Sequence, residues 1–158
     1  MSKSLGNVVV PQDVIDKFGV DPLRFYLSHE VPVGRDGDFS WERFGALYDA
    51  KLRNQLGNLL NRVLVMLNKS GGELNIPLDS DENIKQAEQG WADYAAKMDA
   101  FDLHGGIQQA MQLADTLNGF MDQAKPWEKE VEEQKVILSA FAESLRHLPP
   151  CLDATPRP

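Results

Sequence analysis

The sequence predicts an all-α protein, mainly an antiparallel helical bundle. Apolar residues recur at helical spacing in four segments, capping residues with glycine and proline punctuate those segments, and the connections between them are short. The strongest segment runs from Ser40 to Lys69. Its Trp41, Phe44, Tyr48, Leu52, Leu56, Leu59, Leu60, Val63, Leu64 and Leu67 follow a helical period, which predicts one long amphipathic helix around which the other elements are arranged. Ser40 is its N-cap, Glu42 lies in the first turn where the helix dipole favours a carboxylate, and Gly71-Gly72 is the stop.

The chain opens with Val8-Val9-Val10, read as a short strand, and Pro11 then starts a short helix, PQDVIDKF, ended by Gly19. Asp21-Pro22 reads as N-cap and first helical position of a second helix, LRFYLSHE, which Pro32 ends. In VPVGRDGDFS, Gly34, Asp36 and Gly37 are turn residues and suggest a small hairpin. This opening region is too small to be a domain alone.

Beyond the long helix, GGELNIPLDSDEN is a polar connection, and Asp79 three residues before Glu82 makes a capping box. The next helix is expected to carry Trp91, Tyr94, Ala95, Met98 and Phe101, weakened locally by Gly90. Asp102 caps a further helix with Ile107, Met111, Ala114, Leu117, Phe120 and Met121 on one side, its start blurred by Gly105-Gly106. Lys125-Pro126-Trp127-Glu128 then leads into a last helix with Val131, Leu138, Phe141, Leu145 and Leu148, which Pro149-Pro150 stops. The bundle is assigned to residues 40–150, and the tail 151–158, CLDATPRP, is expected to fray.

A chain of 158 residues can bury a real core. Its net charge of -8 argues against a general nucleic-acid coat while leaving room for a small basic or stacking site on one face. Cys151 is the single cysteine and cannot form an intrachain disulfide. No apolar run is long enough to span a bilayer and the amino terminus has no apolar signal core, so a cytoplasmic protein without a membrane partner is expected.

No constellation reads as a self-contained active site. His29, His104 and His147 lie in separate helices without Cys or carboxylates at ligand spacing, so no metal is expected. Glu128, Glu130, Glu132 and Glu133 read as a solvated helix start. On the long helix, Lys51, Gln55, Asn58, Arg62 and Lys69 fall opposite the apolar stripe with Val65 among them, and Asn58 and Arg62 are one turn apart, within reach of one ligand. The plain reading of that face is solvation. Ser2, Lys3 and Ser4, followed by glycine, can offer hydroxyls, an ammonium and backbone donors to a polyphosphate. Trp127 follows a proline between two helix patterns, the place of either a core plug or a stacking platform for a base.

The sequence resembles the carboxy-terminal part of the methionyl-tRNA synthetases, class I aminoacyl-tRNA synthetases. Met1-Ser2-Lys3-Ser4-Leu5-Gly6-Asn7-Val8-Val9 resembles the KMSKS loop and its continuation, without the motif's first lysine. GVDPLRFYLSHEVPVGRDGDFSWERF, GNLLNRVLVML and AKPWE follow in the family's order, so the likeness covers about residues 1–148 and leaves CLDATPRP outside it. The resemblance implies a KMSKS-loop and stem-contact region over 1–39 and a bundle of the class Ia anticodon-binding type after it.

It further implies that Asn58 and Arg62 contact the CAU anticodon of methionine tRNA while Pro126 and Trp127 support and stack on an anticodon base. Lys3, flanked by Ser2 and Ser4, meets the phosphates of ATP, with Mg, as methionyl-adenylate forms in the parent enzyme. The catalytic nucleotide-binding domain, with its HIGH motif and methionine pocket, precedes this region in the family. The chain alone is therefore expected to be inactive and without a cofactor of its own, with tRNA and that catalytic domain as partners. Another class I synthetase, or a helical protein-interaction module without RNA binding, are the alternatives.

Overall fold

The computed structural model describes residues 10–32, 34–72 and 82–146, and these are helical throughout apart from turns and connections. Helix α1, Pro11–Phe18, uses proline at a position whose N–H would be unpaired anyway, and ends where Gly19 adopts φ 88. Helix α2, Val20–Glu30, begins directly after that glycine. Asp21-Pro22 therefore lies inside its first turn and not at its cap, because the left-handed Gly19 turns the corner two residues earlier than expected. Asp21 still faces the positive end of the helix and lies 3.6 Å from Arg24.

The hairpin expected across VPVGRDGDFS is not formed: residues 34–40 contain no strand. Gly34, at φ 84, lets the Arg35 N–H reach the Pro32 carbonyl at 3.1 Å, and Gly37 packs so closely on Val31 that a Cβ would stand 2.3 Å from Val31 Cγ2. Pro32 has no N–H to give a ladder, and the Asp38 carbonyl accepts instead from the Tyr26 hydroxyl. Val8 and Val9, placed in a strand by the sequence, lie outside the described residues.

The stretch after Ser40 is helical without a break from Trp41 to Lys69, but it is not one uniform α-helix. Helix α3, Trp41–Leu47, is followed by a π-helical segment, Tyr48–Gly57, and then by α4, Asn58–Lys69. Ser40 caps the start by accepting from the Arg43 N–H, and Gly72 closes the end onto the Leu67 carbonyl at 2.9 Å. Across the π segment the buried face passes from one core to another. Phe44 packs with Val14, Leu23 and Tyr26 of α1 and α2, whereas Leu59, Val63 and Leu67 belong to a second core with Ala87, Leu117 and Leu138. The even 100° wheel therefore fails in places: Leu60 and Leu64, expected inside, are about half exposed.

Helices α5, Glu82–Asp99, α6, Leu103–Ala124, and α7, Val131–Arg146, complete the bundle. The interior element is α6, and not the long helix after Ser40. Its Ile107, Ala110, Met111, Leu113, Ala114, Leu117 and Met121 are all buried, with Leu117 and Met121 meeting Leu138 and Phe141 of α7. The glycines that blurred its start have packing causes. Gly106 lets Met98 and Tyr94 of α5 lie against the backbone, while a Cβ on Gly105 would strike the Asp102 carboxylate at 2.2 Å. Gly90 likewise sits against Leu113. Phe101, expected in the apolar face of α5, instead forms the left-handed turn to α6 at φ 58 and is 81% exposed. Asp79 and Leu148 fall outside the described residues.

Asp102 caps α6 by accepting from the Gly105 N–H at 2.9 Å, with the Lys97 ammonium 3.2 Å away. That backbone N–H first, and then Lys97, hold the carboxyl below its ordinary value of 3.8. A carboxyl depressed by folding stabilises fully above 3.8 and loses that contribution as pH falls through the lowered value. Asp102→Ala is expected to lower the melting temperature near neutral pH, with the gap from the parent chain closing in acid. An equal gap at both extremes would contradict a charge-assisted cap. Leu117→Ala, which empties a site in the buried seam, is expected to cost about 2–5 kcal/mol in urea unfolding.

Candidate functional site

Arg62 and Trp127, two of the residues set apart in the sequence, meet where α4 passes the C-terminal end of α6. The α6 helix stops because Pro126 cannot supply an N–H and steers the preceding residue away from right-handed helix. Lys125 takes the left-handed conformation, φ 44 and ψ 57, with its own N–H on the Met121 carbonyl at 3.1 Å. Pro126–Glu128 then forms one 3-10 turn, Pro126 buried and Trp127 47% exposed. From the first turn of α7, Gln134 Nε2 donates to the Pro126 carbonyl at 2.9 Å and fixes the corner. The buried ring anchors the turn, so the neighbouring indole is held rigidly outward.

Arg62 lies beside that indole, its guanidinium carbon 5.3 Å from the ring centroid, and one of its nitrogens donates to Asp122 Oδ1 at 2.8 Å. Its side chain is 28% exposed and that of Asp122 67%. At such exposure the cation–π contact is worth about 0.5–1 kcal/mol and the ion pair little more than zero, so together they orient the guanidinium more than they stabilise the fold. Asn58 is exposed at the start of α4, one turn before Arg62. The arrangement offers an open π surface, a planar fork of donors and an amide along one edge of the bundle.

Of the face predicted as solvated, Gln55 is not free: it is half-buried and its Nε2 donates to the Met111 carbonyl at 2.9 Å. Sequence reasoning did not single out Asp122, Gln134 or Asn118. Asp122 stands one turn before the Lys-Pro corner, and Asn118 sits beside Leu117 on the apolar stripe of α6, two placements that mark a polar residue held by a neighbour. His29 and His104, assigned to separate helices, bring their rings to 6.1 Å, and His29 Nδ1 lies 3.0 Å from Glu30. Among the described residues no group of three or more His, Cys, Asp or Glu side chains is placed to hold a metal ion. No helix there is long and apolar enough to cross a membrane. Ser2, Lys3, Ser4 and His147 lie outside the described residues.

A family model described as class I tRNA synthetases (M) matches residues 1–64, a span that includes Asn58 and Arg62. Among curated proteins, the methionine–tRNA ligase of Streptococcus pneumoniae serotype 4 is 38% identical over 133 residues, covering 80% of this chain and 20% of that protein. That of Listeria innocua is 38% identical over 174 residues, covering 99% of this chain and 26% of its own length. Among solved structures, Mycobacterium tuberculosis methionyl-tRNA synthetase bound by methionyl-adenylate superposes with a TM-score of 0.82 at 28% identity, over 94% of this chain and 32% of that one. The chain belongs to the methionyl-tRNA synthetase family of the class I aminoacyl-tRNA synthetases. It spans about a fifth to a quarter of the length of the curated relatives it matches.

Proposed function

We propose that the end of the bundle formed by Asn58, Arg62, Pro126 and Trp127 binds RNA and reads the CAU anticodon loop of methionine tRNA. The observation that carries the reading is the guanidinium of Arg62 set 5.3 Å over a half-exposed indole whose proline neighbour is buried. Unpaired bases are recognised by stacking on aromatic faces and by hydrogen bonds to their edges. Trp127 supplies the stacking face, while Asn58 offers donor and acceptor and Arg62 a fork of donors for a base edge or a phosphate. The acidic balance of the chain, -8, fits recognition by a few placed groups better than a phosphate-coating surface.

In the complete enzyme this portion acts beside a catalytic domain that joins methionine to tRNA at the expense of ATP with Mg. The assignment of Lys3, with Ser2 and Ser4, to the ATP phosphates rests on the motif alone. Residues 1–39 form the loop and stem-contact region and 40–150 the anticodon-binding bundle. The packing of Val14, Leu23 and Tyr26 on Phe44 supports a rigid joint between them.

Titration of the full chain with a CAU anticodon stem-loop and with a scrambled loop tests this. Trp127→Ala is expected to weaken the CAU complex by about 1–3 kcal/mol. Equal affinity with an intact fold by circular dichroism would remove Trp127 from the site. Arg62→Ala is expected to narrow the ratio between the two loops, and an unchanged ratio would exclude Arg62 from base recognition.

A further inference from the structure

We propose that Gln55 and Asn118 are positioning residues for RNA reading: hydrogen bonds donated by their side-chain amides across the bundle hold the π segment, and thereby fix where Asn58 and Arg62 sit. The inference rests on the RNA-binding function proposed above and concerns side chains whose donors are taken up by backbone carbonyls within the bundle. Asn118, one turn before Asp122 on α6, donates to the Gln55 carbonyl at 3.2 Å and to the Ala114 carbonyl at 3.0 Å. Gln55 returns the contact, its Nε2 reaching the Met111 carbonyl at 2.9 Å. Both residues are half-buried, where water competes less for these bonds than at the surface.

The need for such a clamp follows from the helix type. π-Helical bonding is rare and mostly limited to single turns, so a segment of 10 residues calls for support from outside itself. At its end the Asn58 N–H bonds back to the Arg53 carbonyl, and a Cβ on Gly57 would stand 3.0 Å from the Leu52 carbonyl oxygen. Asn58 thus stands at the change from π to α winding. Because an α-helix turns about 100° per residue and a π-helix less, relaxation of the segment to α winding would rotate Asn58 and Arg62 about the axis. The guanidinium would then leave the indole. The exposed Arg62–Asp122 pair is too weak to prevent this alone, whereas the side-chain amide hydrogen bonds act where the winding is set.

The test uses the full chain with Gln55→Met and Asn118→Leu, which keep side-chain bulk and remove the donors. Each is expected to reduce the CAU-to-scrambled affinity ratio about fivefold, and to reduce it no further when Arg62→Ala is already present. A loss just as large in the Arg62→Ala chain would mean general loosening and overturn the proposal. Without RNA, in a Trp41→Phe/Trp91→Phe background, each variant is expected to shift the Trp127 emission in the direction that Arg62→Ala does. Unchanged emission with an intact fold overturns the proposal whatever the RNA result. A parent chain that binds neither loop would sink the RNA reading, while the emission measurement would still decide the positioning.

Discussion

Everything at the candidate site depends on the burial of α6. Leu113, Leu117 and Met121 fill the space between Leu59, Val63 and Leu67 on one side and Leu138 and Phe141 on the other. This seam sets the distance between α4 and the corner at Lys125. The polar contacts beside it, Arg62 to Asp122 and Asn118 to Gln55, join α4 and the π segment before it to α6. They are few and partly exposed, so the apolar packing fixes the approach of the helices and the hydrogen bonds choose the rotation.

Much of this was legible in the sequence because local chemistry and tertiary demand agree. Pro11–Phe18 is bounded by a proline and a glycine that act where their backbone preferences place them, and Ser40 and Asp102 cap the helices they precede. The stripe Ile107, Met111, Ala114, Leu117 and Met121 is buried as its spacing predicts. Asn58, Arg62 and Trp127 became candidates only through the family likeness, since helical spacing alone read the face of Asn58 and Arg62 as solvated. The indole's outward placement follows from a feature spacing does not report, the burial of Pro126.

The rest was illegible for definite reasons. A wheel assumes one pitch, and the π segment changes it, so Gln55 turned out half-buried and Leu60 half-exposed. Glycine carries a helix cost in any sequence-based reading, yet at Gly90 and Gly106 a Cβ would press on Leu113 and Met98 of the facing helix. The hairpin failed because turn residues were present without partners for a ladder. For Asp122 the only signal was its place one turn before the Lys-Pro corner, and its partner is set only once Arg62 is placed beside it.

The surroundings of Arg62 also bear on kinetics. A surface whose overall charge is negative slows the approach of every polyanion alike, within about a Debye length and without regard to base sequence. Under the proposed function, discrimination is then left to contacts that form only after collision, those of the indole, the amide and the single guanidinium. Because that repulsion is common to all loops, the preference among them would persist in salt that strips nonspecific RNA from basic proteins.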